Sequence, residues 1–494
     1  MKYEDVINLA LRRGIFFLSS EIYANAPAGF YDYGPYGAAI KRKIIELWRK
    51  QFVQKEEMLE IDGSVLMPEE VFISSGHLRS FADPITKCTK CSSTFRADTL
   101  LEEEGKLKLK EGASVEELTA ALKKLGLLCK KCKGQLSDVF RSSLMVKAEV
   151  GIAKKSPLYL RPETCQSIFC DWARLLKTMR ISLPKGIAQT GRAFRNEISP
   201  RQTLLRQVEF SQMEAEIFFD PEKINEFGRF EELENYELRL LRIGKKTVEN
   251  VSCRDAVNKG LVSGKLIAYF LARLQQLYTS FGLPLHSMRF REIDKDERPF
   301  YSKETWDFEV ETSLGWLELV ANNYRTDYDL KGHAAGSGKD LSFVDEKGRK
   351  FIPHIWEVSA GLDRTFYAIL EHAYKKEGER TLLTLAPKIA PLHAAVFPLL
   401  SNKPELITKA QTVYRKLLES GFEVVYDETG SIGKRYARMD EIGCPVCITI
   451  DFESLTAEDV TIRDRDTTKQ KRIKIANLPN ALASITSGTP FEKI

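Results

Sequence analysis

The segment 191–210 constrains the fold of this 494-residue chain more than any other part of the sequence. It reads GRAFRNEISPRQTLLRQVEF: an opening run through Phe194-Arg195-Asn196-Glu197, a polar stretch over 198–203, and an alternating pattern typical of a strand. An arginine that ends one strand and faces a glutamate across a loop suits a nucleotide, because a guanidinium grips a phosphate and a carboxylate accepts from an adenine amine. The alternative is a surface hairpin with a charged tip, since short motifs recur by chance.

Length and composition indicate a globular protein of several domains. A chain of 494 residues exceeds the roughly 100–200 residues of one domain, and its 43% hydrophobic and 29% charged residues are ordinary values. No apolar run approaches the roughly 20 residues that span a bilayer, and the segment 1–14 lacks a signal-peptide core. We therefore expect a cytoplasmic protein. The net charge of +5 is compatible with RNA binding but is weak evidence for it.

Cysteine spacing predicts a metal site. Nine cysteines are an odd number, which favours reduced thiols or metal ligands over disulfides. Two CxxC pairs at suitable separation predict one tetrahedral zinc in a ribbon of two hairpins; the alternatives are paired buried thiols or a site that has lost its metal. The four predicted ligands are Cys88, Cys91, Cys129 and Cys132. A further CxxC, at Cys444 and Cys447, enters a strand, and Cys447 fits a core position better than a redox role.

Periodicity outlines the first three quarters of the chain. Apolar residues at four-residue spacing (Ile40, Ile44, Trp48 and Phe52) predict one face of a long helix, followed by a strand over 61–66 that stops at Pro68. The segment 98–128 is rich in Lys and Glu, carries a helix cap at Ser114 and resembles an insertion. Further predictions are helical spacing over 227–241 and 265–281, a strand over 306–319 and a helix over 362–376.

The last quarter predicts a separate small α/β domain. A linker over 376–391 precedes alternating elements: strand 394–400, helix 406–420, strand 423–426, helix 436–442 and strand 446–451. Residues 391–494 carry 14 basic and 14 acidic side chains, so bulk charge does not mark an RNA binder. The best candidate patch for contacting RNA bases, with a solvated helix face as its alternative, is Lys434, Arg435, Tyr436 and Arg438.

Taken together, the motifs resemble those of the class II aminoacyl-tRNA synthetases, in particular the dimeric type of glycyl-tRNA synthetase of the archaeal and eukaryotic branch. The segment 191–210 is similar to motif 2, and the helix and strand ending at Pro68 are similar to motif 1, the dimer interface. The other matching segments are 13–37, Arg161-Pro162-Glu163-Thr164, Glu357-Val358-Ser359-Ala360-Gly361 and Gly361-Leu362-Asp363-Arg364.

The resemblance implies an α+β fold. The expected parts are a class II antiparallel sheet flanked by helices, a zinc-ribbon-like insertion and a C-terminal α/β anticodon-binding domain. The catalytic domain would comprise residues 1–85 and 136–385, including a helical insertion at 225–290. The zinc-ribbon-like insertion would take residues 86–135, and the anticodon-binding domain residues 391–494.

The resemblance also implies a reaction: glycine is activated with ATP to glycyl-adenylate and transferred to the 3′ end of tRNA(Gly). Arg195 would clamp the α-phosphate, Glu197 contact adenine, Arg206 lie toward the γ-phosphate, Phe210 stack on the base, and Arg364 begin the last helix, whose dipole favours anions. Glu318 would hold magnesium, which prefers oxygen ligands. The full implied ATP set is Arg195, Asn196, Glu197, Leu205, Arg206, Phe210, Glu318, Leu319, Gly361 and Arg364, of which Arg195, Arg364 and Glu318 are the catalytic candidates.

Glycine offers only its ammonium and carboxylate for recognition. At positions that match the family, Glu163, Glu214 and Glu357 are the candidates for the ammonium, and Arg96 for the carboxylate. The full implied glycine set is Arg96, Glu163, Phe210, Gln212, Glu214, Glu357, Ser359 and Gly361. Implied cofactors are ATP, Mg²⁺ and structural Zn²⁺; implied partners are glycine, tRNA(Gly) and a second copy of the chain, without a membrane.

Two alternatives compete with this interpretation. A sister class IIa synthetase for proline, threonine or histidine is disfavoured by the glutamate set. A non-catalytic paralogue, such as a polymerase accessory subunit, would lose the ATP-contacting arginines, and this chain retains Arg195, Arg206 and Arg364.

Overall fold

The computed structural model describes residues 2–107, 113–151, 156–198, 200 and 203–494. The helices are α1 (Lys2–Arg12), α2 (Pro35–Trp48), α3 (Glu69–Ser74), α4 (His77–Ser80), α5 (Ala97–Glu103), α6 (Val115–Lys124), α7 (Cys165–Thr178), α8 (Cys253–Asn258), α9 (Lys265–Ser280), α10 (Tyr328–Ser337), α11 (Leu362–Ala373), α12 (Pro404–Glu419), α13 (Ile432–Ile442), α14 (Ser454–Ala457) and α15 (Leu478–Ser487).

The strands of the first 390 residues are β1 (Phe16–Leu18), β2 (Tyr31–Tyr33), β3 (Leu59–Ile61), β4 (Leu66–Pro68), β5 (Ala82–Lys87), β6 (Thr94–Arg96), β7 (Phe140–Ser143), β8 (Val146–Val150), β9 (Ser156–Leu160), β10 (Lys185–Phe194), β11 (Glu209–Phe219), β12 (Glu237–Leu241), β13 (Glu249–Ser252), β14 (Met288–Glu292), β15 (Thr305–Thr312), β16 (Gly315–Thr326), β17 (Phe343–Val344), β18 (Lys350–Phe351), β19 (His354–Gly361), β20 (Tyr374–Glu377) and β21 (Arg380–Leu383). Those beyond are β22 (Ala394–Pro398), β23 (Val424–Tyr426), β24 (Val446–Ile450), β25 (Asp459–Asp464) and β26 (Gln470–Lys474).

A nine-stranded sheet organises the described part of the larger region. Its order is β13-β12-β14-β15-β16-β19-β11-β10-β3, and its strands pair antiparallel except β12 with β14 and β10 with β3. This is the antiparallel sheet flanked by helices that the sequence predicts. Strand residues alternate between the two faces, so one face of β11 carries Met213, Ala215 and Ile217, which are buried in the main hydrophobic core. The other face carries Gln212, Glu214 and Glu216.

Helix α2 is the helix predicted from four-residue spacing, and it continues as a π-helical turn over Arg49–Gln54. Its apolar residues Ile40, Ile44, Trp48 and Phe52 are at most 1% exposed and belong to the main core of the chain itself. The apolar stripe that suggested a dimer helix is therefore already covered within one chain. The expected strand 61–66 is replaced by two short strands in different sheets, β3 and β4.

Two other predictions about secondary structure are wrong. The segment 227–241, expected to be helical, forms a short 3₁₀ turn and then β12, and β12, β13 and β14 all join the central sheet. Its apolar residues alternate at Leu238 and Leu240, both fully buried, so strand periodicity prevails over helical spacing. The segment 306–319 is two strands, β15 and β16, joined by a turn at residues 313–314.

The cysteine-containing insertion is a small unit with its own core. Strand β5 pairs with β6 and β7, and Cys88 forms an isolated bridge with Leu136. Helices α5 and α6 pack through a separate hydrophobic cluster that includes Leu101 and Leu118. The predicted cap at Ser114 is present as a capping box with Glu117. Part of the segment expected to be an insertion, 108–112, lies outside the described residues.

Residues 391–494 form the predicted small α/β domain. Its five-stranded sheet has the order β23-β22-β24-β25-β26, with the first three strands parallel and the rest antiparallel. Helices α12 and α15 pack on one face through a core containing Leu406 and Leu482. Cys444 and Cys447 are buried, as expected for Cys447.

The predicted linker 376–391 contains the end of a hairpin, β20–β21, rather than an unstructured connection. Arg380 on β21 donates to Asp440 of α13 at 2.9 Å, and Arg465 donates to the carbonyl of Leu385 at 2.9 Å. Four cations of α1, α2 and the turn after α1 also reach this domain. Arg12 and Arg13 pair with Glu441, and Arg42 and Lys43 pair with Glu423.

Candidate active site

The three central strands of the large sheet place a row of carboxyl groups on one face. In the β11–β19 register Glu216 lies opposite Glu357 and Glu214 opposite Ser359, while Asn323 of β16 lies opposite Glu357. Glu163 joins them from the segment that leads into α7. All four glutamates are at most 9% exposed. The predicted convergence of Glu163, Glu214 and Glu357 is therefore present, with Glu216 as a fourth member. We call these four glutamates the acid pocket.

Arg325, at the end of β16, is the cation that holds the acid pocket together. Its guanidinium is 1% exposed, donates to Glu357 at 3.0 Å and lies 3.9 Å from Glu163. It also forms a two-pronged bond with Asp329 of α10, at 2.7 and 2.8 Å. A buried arginine between carboxylates offsets much of their mutual repulsion. These six groups still hold five carboxyls and one guanidinium, so the pocket favours a further small cation.

Most of the carboxyl oxygens are oriented by neighbours. Glu214 accepts from the hydroxyls of Thr164 and Ser359, and Glu357 accepts from Asn323 at 2.7 Å. Glu163 accepts from Gln166 at 2.9 Å and lies 3.3 Å from His77 Nε2. Glu216 differs, because neither of its buried oxygens has a hydrogen-bond partner among the described residues.

Burial and neighbouring charges give three of these glutamates different charge states. It raises the pKa of Glu357 to about 7, with Arg325 opposing the shift. Burial, and next the charge of Glu357, raise the pKa of Glu216 well above its usual range, so this group favours the neutral acid. Burial also tends to raise the pKa of Glu163, but His77 and Arg325 hold it well below its usual value. The pocket thus contains an ionised carboxylate, a neutral acid and a group that titrates near neutral pH.

Several members of the pocket are absent from the sequence prediction. Arg325 and Asp329 lie one helical turn apart after an apolar strand, a pattern that resembles a surface ion pair. His77, which belongs to none of the motifs described above, lies 3.3 Å from Glu163. The only available signal for Arg325 was indirect: several buried carboxylates require a cation nearby.

Arg195 lies directly after β10, as predicted, at one end of the acid pocket. Its guanidinium carbon is 5.2 Å from the ring centre of Phe210 and 5.3 Å from that of Phe81, which places it between two aromatic rings. Its Nε donates to the carbonyl of Pro162 at 3.2 Å. The planar guanidinium is therefore fixed in orientation, as a bidentate phosphate contact requires.

Glu197 and Arg206 face one another across the predicted loop. Arg206 Nε donates to Glu197 at 2.6 Å, and its guanidinium lies 3.9 Å from Asp83. Asn196 is held through its backbone, which donates to the carbonyl of Leu144 at 2.8 Å. Of the loop between them, residues 199 and 201–202 lie outside the described residues. The arginine that pairs with a glutamate across this loop is Arg206. The strand-ending Arg195, which the sequence pattern indicated for that role, lies against the aromatic rings instead.

Arg364 occupies the first turn of α11, as predicted, and contacts a 3₁₀ turn and strand β16. It donates to the carbonyl of Leu205 at 3.2 Å and to that of Glu318 at 3.1 Å, with the Glu318 carboxylate at 3.4 Å. Glu318 lies within β16 rather than at the end of a strand, and its side chain is 45% exposed. Burial, and next the charge of Glu318, raise the pKa of the neighbouring Asp307 to about 8. An exposed carboxylate beside an arginine and a second acid is a suitable donor for magnesium.

Three other predicted residues have less specific surroundings. Arg96 forms ion pairs with Asp83 at 2.9 Å and Asp98 at 2.6 Å, on the Arg206 side of the site, so its guanidinium already has two carboxylates. A Cβ at Gly361 would come no nearer than 3.6 Å to Leu319 O, so the protein alone does not require glycine there. Leu319 itself is buried.

The predicted zinc ligands converge. One ligand atom from each of Cys88, Cys91, Cys129 and Cys132 lies within 4.8 Å of every other, and the cross-hairpin Sγ–Sγ distances are 3.5 and 3.6 Å. Cys88 and Cys129 are buried whereas Cys91 is exposed. Four thiolates from two hairpins fit the donor set of a closed structural zinc site.

In the C-terminal domain, the predicted RNA-contacting patch is only partly available. Arg435 is 1% exposed and donates to the carbonyls of Pro398 and Gly430, so it stabilises the domain. Arg438 pairs with Asp427, and the Tyr436 hydroxyl hydrogen-bonds Thr449. Lys434 remains exposed. Arg435 therefore fits neither the RNA-contacting patch nor the alternative of a solvated helix face, and Lys434 alone of the four is exposed.

None of the helices in the described ranges combines the length and apolar character that a bilayer span requires.

Comparison with known proteins supplies two domain matches and full-length relatives. Residues 147–373 match the class II tRNA synthetase core domain of the G, H, P, S and T type, and residues 393–485 match an anticodon binding domain. The chain is 39% identical to the glycine–tRNA ligase of Pyrococcus horikoshii, with 99% of each chain covered. It is 38% identical to that of Aeropyrum pernix, covering 95% and 94%, and 36% identical to that of Methanothrix thermoacetophila, covering 99% and 97%.

Proposed function

This chain belongs to the glycine–tRNA ligase family of class II synthetases, and on that premise we propose which of its residues perform each part of the reaction. The reaction activates glycine with ATP and transfers the glycyl group to tRNA. The observation that carries the assignment is the acid pocket, buried on the sheet face next to Arg195 and surrounding one arginine.

Glycine binds with its ammonium in the acid pocket. Glu163 supplies a stable negative charge, Glu357 a charge present above about pH 7, and Glu214 an oxygen oriented by Ser359. A substrate without a side chain gains no contact energy beyond these groups, so selectivity depends on excluding larger amino acids. Gln212 and Phe210 line the approach from the nucleotide side, and Arg96 is the proposed contact for the glycine carboxylate.

ATP lies across Arg195, Arg206 and Arg364. Carboxylate attack on the α-phosphate releases pyrophosphate, and the principal needs of that step are alignment and stabilisation of developing negative charge. Arg195 is oriented by two rings for the α-phosphate, and Phe210 is also positioned to stack on adenine. Glu197 is proposed to accept from the adenine amine once Arg206 turns to the γ-phosphate.

Magnesium serves ATP in class II synthetases, and Glu318 would hold it in this chain. When bound, the ion would neutralise phosphate charge; Arg364, at 3.4 Å from Glu318, positions that carboxylate. Zinc is proposed at Cys88, Cys91, Cys129 and Cys132, where it would fix the two hairpins of the insertion and take no part in the chemistry.

The remaining assignments concern partners and domain limits. We propose tRNA(Gly) as the RNA substrate, with 391–494 reading its anticodon, a cytoplasmic location and a homodimer. The apolar stripe of α2 is covered within the chain. We therefore propose that copies meet at a cleft of about 860 Å³, lined in part by Ile45 of α2 and Arg49 of the π-helical turn that follows it. The proposed domains are 1–85 with 136–385 (225–290 as a sheet-extending insertion), 86–135 and 391–494.

The test is ATP–pyrophosphate exchange with each amino acid in turn. Glycine alone should support exchange, because the pocket offers acids for an ammonium. Robust exchange with proline, threonine or histidine and none with glycine would refute the residue roles proposed above. Light scattering tests the dimer: a mass of 56.2 kDa at micromolar concentration, that of one chain, would exclude it.

A further inference from the structure

The acid pocket is covered by a loop that the class II motifs do not include. Residues 293–304 connect β14 to β15. The loop is closed at its ends by backbone bonds from Ile293 to Thr305 (3.1 Å) and from Lys303 to Tyr324 (2.8 Å). The first bond joins the start of the loop to β15, and the second joins its end to β16, the strand that carries Arg325. Tyr301 is the loop residue whose ring contacts Arg325.

The Tyr301 ring lies against Arg325. The guanidinium carbon is 4.1 Å from the ring centre of Tyr301 and 5.3 Å from that of Phe169, so Arg325 is held between the two aromatic side chains. Burial, and next the charge of Glu357, raise the pKa of Tyr301 well above its ordinary value, with Glu163 contributing in the same direction. The phenol therefore stays neutral and faces both sides of the acid pocket.

The outer side of the loop packs against Tyr328 of α10, beside the turn at Gly76. Phe300 is 62% exposed and packs on Tyr328, with ring centres 5.4 Å apart. Gly76 adopts φ +83°, and a Cβ added there would lie 3.0 Å from the Tyr328 hydroxyl and 3.8 Å from Phe300. Glycine suits this position, because side chains rarely adopt this φ and the space beside it is narrow. The next residue, His77, contacts Glu163, so the loop and this turn meet over the same pocket.

We propose that Tyr301 is a specificity-determining residue: its ring fills the space above the acid pocket into which the side chain of a larger amino acid would extend. The proposal rests on the proposed role of the acid pocket as the glycine site. Recognition of glycine cannot use side-chain contacts, so a rigid aromatic cover is the exclusion element that the pocket requires. Tyr301 also packs against Arg325 and limits its movement, which keeps the ring in a fixed position relative to the carboxylates.

The test compares adenylate formation from glycine, L-alanine and L-serine, measured as hydroxamates so that traces of glycine do not mask the products. In Tyr301→Ala the ratio of kcat/KM for glycine to that for alanine should fall at least tenfold, a typical effect of one methyl group in a pocket. Tyr301→Phe keeps the ring and should keep the ratio within about twofold. Lys295→Ala, in the same loop but exposed and outside the pocket, is the matched control and should leave all three rates unchanged.

Thermal unfolding identifies a variant that fails to fold, and Tyr301→Leu then supplies the comparison, because leucine removes the ring but keeps an apolar side chain. Unchanged discrimination in whichever of the two variants folds and retains glycine activity would overturn the proposal. So would loss of discrimination in Lys295→Ala equal to that in Tyr301→Ala. Absence of glycine exchange by the unsubstituted protein would refute the proposed function itself, which separates the two failures.

Discussion

The charge state of Glu357 predicts how glycine use depends on pH. The pKa of this buried carboxyl is about 7. The groups that face it are Arg325 and Asn323 from β16, Glu216 and Glu214 from β11, Glu163 and Cys165 at the start of α7, and Tyr301 from the loop before β15. An ammonium is attracted only by the ionised form. With a pKa of about 7, that form makes up about nine tenths of the protein at pH 8, half at pH 7 and about one tenth at pH 6. The value of kcat/KM for glycine should therefore fall about tenfold between pH 8 and pH 6.

The assay is ATP–pyrophosphate exchange at saturating ATP across pH 6.0–8.5, because kcat/KM reports groups of the free enzyme. Glu357→Gln, which keeps the shape and cannot ionise, should be less active throughout and should lose this step in the profile. The KM for ATP, measured at each pH, shows whether a group in the ATP site titrates over the same range. A wild-type profile that changes less than twofold between pH 6 and 8, or a Gln variant with the same step, would refute the reasoning.

Three further outcomes are expected. Arg195→Ala and Arg364→Ala should each lower exchange by orders of magnitude with an unchanged circular dichroism spectrum; near-normal exchange would remove that residue from the ATP site. Arg325→Met should destabilise the catalytic domain by about 3–5 kcal/mol, because it leaves buried carboxylates unpaired, and the loss of Tm should shrink as pH falls and they take up protons. The exposed ion pair between Lys331 and Asp327 gives the control, because Lys331→Met should lower the free energy of unfolding by only about 0–1 kcal/mol. Elemental analysis should find one zinc per chain in the wild type and none in Cys129→Ser; a metal-free, active wild type would contradict the site.

The sequence predicted the parts of the site that lie in recognisable local patterns. The strand–loop–strand around Arg195 and the helix start at Arg364 depend on periods of two and 3.6 residues, which local sequence encodes. The C-terminal domain was predictable for the same reason, because its strands and helices alternate with clear apolar runs.

The remaining features depend on contacts between distant segments. Arg325 is recognisable as the central cation only after β16 and β19 are paired. Tyr301 lies in a polar loop whose sequence gives no sign of the pocket beneath it. Strand β12 was mistaken for a helix because a short apolar run fits both periods, and its pairing with β13 and β14 decides between them. In the sequence Arg435 resembles a surface cation, whereas in the folded domain it is buried.

The ion pairs between the two large domains also neutralise a surface of the catalytic domain. Arg12 and Arg13 are matched by Glu441, and Arg42 and Lys43 by Glu423. Removal of residues 391–494 should leave glycine-dependent exchange largely intact, since the proposed ATP and glycine contacts all precede it, and should greatly weaken tRNA charging.

The same truncation would leave these four cations without the carboxylates of Glu441 and Glu423. Unpaired basic groups attract polyanions with strong salt dependence. A shortened protein should therefore bind RNA less selectively than the intact chain, in which the two glutamates offset part of this charge.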